Sequence, residues 1–140
     1  MKYMNKIKIW DTAGQERFQS LGTKYYNGAD CCVLVYDGSS SSTFDDLQAW
    51  KEEFINNAEP TDIETFPFVV IGTKIDINNR NEVSIEKIEE WCTANGNIPH
   101  FETSSKEGTN IEQAFHKIAE LILERRPNTF LFVLLLFVFI

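Results

Sequence analysis

Three kinds of apolar spacing succeed one another along this chain. Lys6–Trp10 alternates polar and apolar residues, which predicts a strand with Ile7 and Ile9 on one face. Cys31–Asp37 (CCVLVYD) and Phe68–Gly72 (FVVIG) are continuous apolar runs, the pattern of strands buried on both faces of a parallel sheet. Between them Phe44, Leu47, Trp50, Phe54 and Ile55 recur at helical spacing, with Ser42 as the expected cap and Asp45 in the first turn. A second helical stripe is Ile85, Ile88, Trp91 and Cys92, capped by Ser84 and stopped at Asn95-Gly96. A third is Ile111, Ala114, Phe115, Ile118, Ala119 and Ile122. There Asn110 and Gln113 suggest a capping box, and Pro127 ends helix-compatible sequence. Asn56–Phe66 and Asn78–Val83 read as polar connections, and Ile98–Thr103 as a short strand. Strand alternating with helix predicts an α/β sheet with helices on both faces.

Composition narrows the function classes. The 140 residues suffice for one domain with a real core, and 43% hydrophobic with 24% charged residues is ordinary for a globular protein. A net charge of −8 argues against a nucleic-acid surface and leaves no polybasic patch for an anionic membrane. Cys31, Cys32 and Cys92 lack metal-ligand spacing and read as buried, reduced thiols of a cytosolic protein. His100 and His116 stand at no motif position. No charged segment followed by an apolar core opens the chain, so no secretory signal is expected.

The chemistry begins where the first strand ends, at Asp11-Thr12-Ala13-Gly14-Gln15-Glu16. An acid at the carboxyl end of a strand can hold Mg²⁺ through water. Gly14, having no Cβ, lets its backbone N–H approach a phosphate, and Gln15 can orient a water for in-line attack. Thr73-Lys74-Ile75-Asp76 and Glu102-Thr103-Ser104-Ser105-Lys106 likewise follow apolar strands. All three motifs fall at the carboxyl ends of strands, where open α/β sheets bind ligands. Taken alone, each also reads blandly: T-K-x-D as a polar strand end, S-S-K as a loop before a helix cap, Trp10 and Tyr25 as packed aromatics.

Together, in this order, the three motifs resemble the Ras superfamily of small GTPases. WDTAGQERF (Trp10 to Phe18) and Tyr25-Tyr26-Asn27-Gly28-Ala29 resemble its Rab branch. GADCCVLVYD, FPFVVIGTKID and NIPHFETSSKEGTNIEQAF are similar to the late-endosomal and vacuolar Rab subfamily. The resemblance runs from about Ile7 to about Leu123. It implies a P-loop-NTPase-like domain with a mostly parallel sheet, and a GTP/GDP switch with slow GTP hydrolysis acting in vesicle transport. Residue by residue, it implies that Asp76 accepts the paired N–H groups of guanine and that Lys74 lays its stem across the base. Thr73 stands where Rab proteins usually carry asparagine. Ser105 stands where they usually carry alanine and would offer its backbone N–H to guanine O6, with Lys106 on the other side of the base and Ser104 bracing the loop. Asp11 would hold Mg²⁺ through water, Gly14 would meet the γ-phosphate and Gln15 would place the hydrolytic water. Trp10, Phe18 and Tyr25 would face effectors, with an exchange factor and a GTPase-activating protein as further partners. The implied location is the cytoplasmic face of late endosome, lysosome or vacuole, and the implied state is monomeric.

Two departures from that pattern shape the expectation. The sequence holds no G-x-x-x-x-G-K-S/T phosphate loop, and no cysteine after Cys92 for prenylation. In the family the strand before that loop lies between the strand at Lys6–Trp10 and the strand at Cys31–Asp37. Its absence predicts unpaired backbone on both flanks, and weak or no nucleotide binding by the isolated chain. The domain reading is therefore a partial GTPase domain lacking the first strands, residues 1–127, followed by an apolar tail, residues 128–140. Phe130–Ile140 (FLFVLLLFVFI) as a helix is roughly 16 Å long, about half of a bilayer's hydrocarbon core. That leaves a shallow membrane anchor or sequence read past a true exon end, of which the second is preferred. The alternative function is a nucleotide-deficient Rab-like interaction module or a pseudogene-like fragment.

Overall fold

The computed structural model describes residues 7–12, 26, 28–77, 83–125 and 131–137. The strands among the described residues are β1 (Ile7–Thr12), β2 (Cys31–Asp37), β3 (Phe68–Thr73), β4 (His100–Glu102) and β5 (Leu131–Phe137). They form one sheet in the order β1-β5-β2-β3-β4, and every neighbouring pair is parallel. Parallel neighbours need crossovers, and helices α1 (Ser41–Asp45), α2 (Leu47–Ala58), α3 (Ile85–Ala94) and α4 (Ile111–Arg125) are the described ones.

The continuous apolar run of β2 is buried at all seven positions, and alternate residues feed opposite faces. Cys32, Leu34 and Tyr36 join Phe44, Leu47, Trp50, Phe54, Ile88 and Cys92 from α1, α2 and α3 on one side. Cys31, Val33 and Val35 join Ala114, Ile118 and Ile122 of α4 on the other. The predicted helices on both faces are thus in place. The first face is aromatic, with Phe54 within 6 Å, centroid to centroid, of the rings of Tyr26 (5.8 Å), Phe66 (5.2 Å) and Phe68 (5.7 Å). The second is aliphatic at its buried positions apart from Cys31.

Local details correct several sequence expectations. Ser42 is no cap: α1 starts at Ser41, and Ser40 flanks it without a side-chain cap bond. Thr43 instead ties the helix start to β2, its hydroxyl donating to the carbonyl of Ser40 (2.7 Å) while accepting the N–H of Asp37 (2.9 Å). Ser84 does cap α3, accepting the N–H of Lys87 at 3.1 Å. Gly96 follows with φ of +93°, the left-handed stop that glycine permits. Asn110 flanks α4, but its side chain donates to the carbonyl of Glu102 (2.8 Å) rather than closing a capping box. The loop after α2 is shorter than expected, because the helix continues to Ala58 and Phe66 packs on the aromatic core. Val83 is buried as well, not part of a polar connection, while Ile85 is exposed.

The largest departure concerns the apolar tail. Leu131–Phe137 is neither a helix nor an appendage but the second strand of the sheet. Leu131–Leu136 pair with Ile7–Thr12 on one side, and Val133–Phe137 with Cys31–Val35 on the other. The two flanks expected to carry unpaired backbone are therefore both paired, by Leu131–Phe137 from within the segment set apart as residues 128–140.

Candidate functional site

The carboxyl end of β3 is built by a chain of specific bonds. Thr73 lies beside Asp37 in register, and its hydroxyl donates to the carbonyl of Tyr36 at 3.1 Å. Gly38 donates its N–H back to the carbonyl of Thr73 at 2.9 Å, and a Cβ at Gly38 would sit 2.9 Å from that same oxygen. Lys74 then takes a left-handed conformation, φ +61°, unusual for a residue with a side chain. The bonds around it hold it there: Ile75 donates to the carbonyl of Thr103 (3.3 Å) and Ile77 to that of Lys74 (3.1 Å).

What Lys74 presents is an ammonium bonded at 2.8 Å to Oδ2 of Asp37. Asp37 is mostly buried, at 11% side-chain exposure, while Lys74 keeps 46%. Burial alone pushes the Asp37 pKa up, but hydrogen bonds from Lys74 and from the Ser39 hydroxyl (2.6 Å) and N–H (2.9 Å) outweigh it and hold the carboxyl below its ordinary value. Asp37 therefore stays ionised and keeps the ammonium at the rim of the sheet. Sequence reasoning saw only an acid ending an apolar run and gave it no role. The available signal was its position, at the same strand end as Thr73.

Asp76 is set from the neighbouring loop. Oδ1 accepts the hydroxyl proton of Ser104 at 2.8 Å, and that hydroxyl also accepts the N–H of Glu107 at 3.2 Å. Ser104 is completely buried, and paired bonds between its backbone and Thr109 pin it (3.2 and 3.0 Å). Thr103, buried too, ties the loop to β3 by donating its hydroxyl to the carbonyl of Gly72 at 2.9 Å. Gly72 has no alternative: a Cβ there would meet the Tyr36 hydroxyl at 2.5 Å. Ser105 and Lys106, by contrast, are exposed beyond the brace. The structure thus brings Thr73, Lys74, Asp76 and Ser104 together, with Asp37 added and Ser105 and Lys106 alongside in chain order.

The other predicted residues divide. Asp11 lies in β1 level with Leu135 of β5, which is level with Val33 of β2, so its strand runs toward the same edge as Asp37. Gly14, Gln15, Phe18 and Tyr25 lie outside the described residues, as does the side chain of Trp10. Among the described residues, no three His, Cys, Asp or Glu side chains are grouped to hold a metal ion. The three cysteines are free and buried as expected. Burial pushes the Cys31 and Cys32 thiols far up and Cys92 to about 11.

A parallel α/β sheet with charged and polar side chains gathered at the carboxyl ends of its strands has the layout of a ligand-binding α/β domain. The model of the Ras family matches residues 2–124, and the chain belongs to that family, in its Rab branch of the late-endosomal kind. It is 54% identical over 129 residues to the Ras-related protein Rab7 of Cenchrus ciliaris, covering 91% of this chain and 63% of that protein. It is 62% identical over 116 residues to the Ras-related protein Rab7 of Pisum sativum, and 57% identical over 113 residues to the Ras-related protein Rab-7a of Dictyostelium discoideum. Each of those two alignments covers 81% of this chain and 56% of the relative. The chain thus spans little more than half the length of these relatives.

Proposed function

We propose that this chain is the guanine-reading part of a Rab-type GTP/GDP switch acting in transport to the late endosome, lysosome or vacuole. The observation that carries the reading is the Asp76–Ser104 brace beside Lys74. A carboxylate fixed by a hydrogen bond on one oxygen suits the adjacent N1–H and N2 amino donors of guanine, a pair adenine lacks. The Lys74 stem, half-exposed and anchored through Asp37, supplies a flat apolar surface for one face of the base. Ser105 and Lys106 complete the rim from the other loop. In the same reading Asp11 holds Mg²⁺ through water, and Gly14 and Gln15 serve the γ-phosphate and the attacking water. Trp10, Phe18 and Tyr25 meet effectors, the exchange factor and the GTPase-activating protein. The active form is a monomer on the cytoplasmic face of an endomembrane.

Competition between GDP, IDP and ADP for the full chain tests the base reading. GDP should bind best. IDP, lacking the N2 amino group, should lose about 10- to 100-fold, the worth of one hydrogen bond to a charged group. ADP should bind more weakly still, and Asp76→Ala should abolish the ranking while leaving the fold intact. Equal binding of GDP and ADP, or binding of neither, ends this reading for the chain.

A further inference from the structure

The sequence holds two Asn-Gly steps, Asn27-Gly28 and Asn95-Gly96, and neither has a role in nucleotide binding. Asn-Gly is the dipeptide at which asparagine side chains deamidate most readily, because glycine has no Cβ to shield its own backbone nitrogen. Asn27 lies outside the described residues, whereas Asn95-Gly96 is described at the end of α3. There the asparagine flanks the helix and the glycine follows with φ of +93°. We propose that Asn95 is a self-modification site, held shut by Lys51 of α2 and by the last turn of α3, and opened only when that turn leaves α2.

The reaction needs no partner beyond water. The Gly96 nitrogen attacks Cγ of Asn95. The new N–Cγ bond closes a succinimide ring as the Cγ–Nδ2 bond breaks, and Nδ2 leaves as ammonia with the proton that Gly96 gives up. Water then opens the ring at either carbonyl, giving aspartate or isoaspartate. For the ring to close, Cγ must swing forward over the Gly96 nitrogen, and the side chain is tied in the opposite direction. Nδ2 donates to the carbonyl of Trp91, one turn back, at 2.8 Å, and Oδ1 accepts from the Lys51 ammonium at 3.1 Å. The Asn95 N–H meets the same Trp91 carbonyl at 3.1 Å, and the attacking Gly96 nitrogen is itself engaged with the Thr93 carbonyl at 3.3 Å. The Ile98 N–H closes the turn on the Cys92 carbonyl at 3.1 Å, and both residues are buried in the aromatic core, so the turn is anchored from within. Lys51 is steadied by the Phe68 ring, whose centroid lies 5.4 Å from its ammonium. Gly96 is exposed and Asn95 half-buried, so water reaches the site, and geometry rather than access sets the barrier. The product does not fit the clasp. A carboxylate retains Lys51 but sets an oxygen against the Trp91 carbonyl where an N–H stood, and it adds negative charge at the carboxyl end of a helix, which the helix dipole disfavours. Isoaspartate also adds a methylene to the backbone between α3 and β4. Each modified chain therefore keeps a record that the clasp has opened. The inference concerns the contact of α2 with α3 and holds independently of nucleotide binding.

Peptide mapping by mass spectrometry on the full chain tests it, since mapping separates Asn95 from Asn27. At neutral pH, Asn95 should deamidate at least about 10-fold more slowly in the folded chain than in the same chain unfolded in urea, because the reaction waits on local opening. Any smaller difference overturns the proposal. Lys51→Met keeps most of the apolar stem and removes the ammonium. With its circular dichroism unchanged, deamidation at Asn95 should quicken at least about 3-fold, the worth of one hydrogen bond at a half-exposed site. An unchanged rate in that folded variant removes Lys51 from the clasp and overturns the proposal. Should the variant not fold, the comparison of folded and urea-unfolded states of the unmodified chain decides alone. Asn95→Asp carries the aspartate product. Hydrogen exchange at the Gly96 and Ile98 amides of that variant should be at least about 3-fold faster than in the unmodified chain, while β2 and β3 keep their protection. Exchange as slow as in the unmodified chain would mean that the product closes the clasp again, which overturns the record of opening.

Discussion

The two ends of the ligand edge are held by different means. At the end of β3 and in the loops after β3 and β4, four side chains have specific partners: Thr73 on Tyr36, Lys74 on Asp37, Asp76 on Ser104, Thr103 on Gly72. At β1 the attachment is a backbone ladder to a single strand that comes from the far end of the chain. The first kind of order is local and resists small motions, since each bond is braced by the next. The second is collective, present while a whole strand stays in register and lost together. A site built across both is expected to recognise its base through the rigid end and to respond to events through the other.

The comparison breaks most decisively if the rigid end does not rest on the aromatic core. Phe54 is fully buried among Tyr26, Phe66 and Phe68. Phe54→Ala should cost about 3–5 kcal/mol of unfolding free energy in urea. A loss under about 1 kcal/mol would show that this face contributes little, against the packing described. Gly72→Ala is the next test. The added methyl meets the buried end of Tyr36, and the loss should be about 1–3 kcal/mol, with weaker GDP preference because Thr103 is tied to Gly72. Unchanged stability would mean that Tyr36 moves aside.

Asp37→Asn sharpens the comparison at its smallest expected effect, about 1 kcal/mol, since Lys74 is nearly half exposed and water screens the pair. The sign of its pH dependence follows from the lowered pKa of Asp37. The stabilisation is complete above the ordinary carboxylate range and is lost as pH falls through the depressed folded value. Thermal melts of the two chains should therefore differ at neutral pH and converge in acid. A constant difference down to the acid limit would remove Asp37 from the account.

Much of this was legible in the residues, for reasons that can be stated. The β2 run has no polar break because helices cover both its faces, so its burial was written in composition alone. Lys74, Asp76 and Ser104 were legible because their motifs sit directly after such runs. Asp37 was not, since an acid ending a strand has no signature until its neighbour in the sheet is known. Asn110 misled for a similar reason: its side chain reaches back to Glu102, a partner no local rule nominates. Leu131–Phe137 was the hardest. A short apolar run fits a buried strand, a core helix or an anchor equally well, and the ladder that settles it lies at the opposite end of the sequence.

That ladder has a consequence for biosynthesis. β1 is made before its pairing partner β5, and β2, β3 and β4 are made between the two. Until β5 is made, Ile7–Thr12 waits without that ladder, while β2, β3 and β4 can already assemble. The ladder therefore forms late, slowed by the long stretch of chain it must span and exposed to wrong partners for as long as it takes.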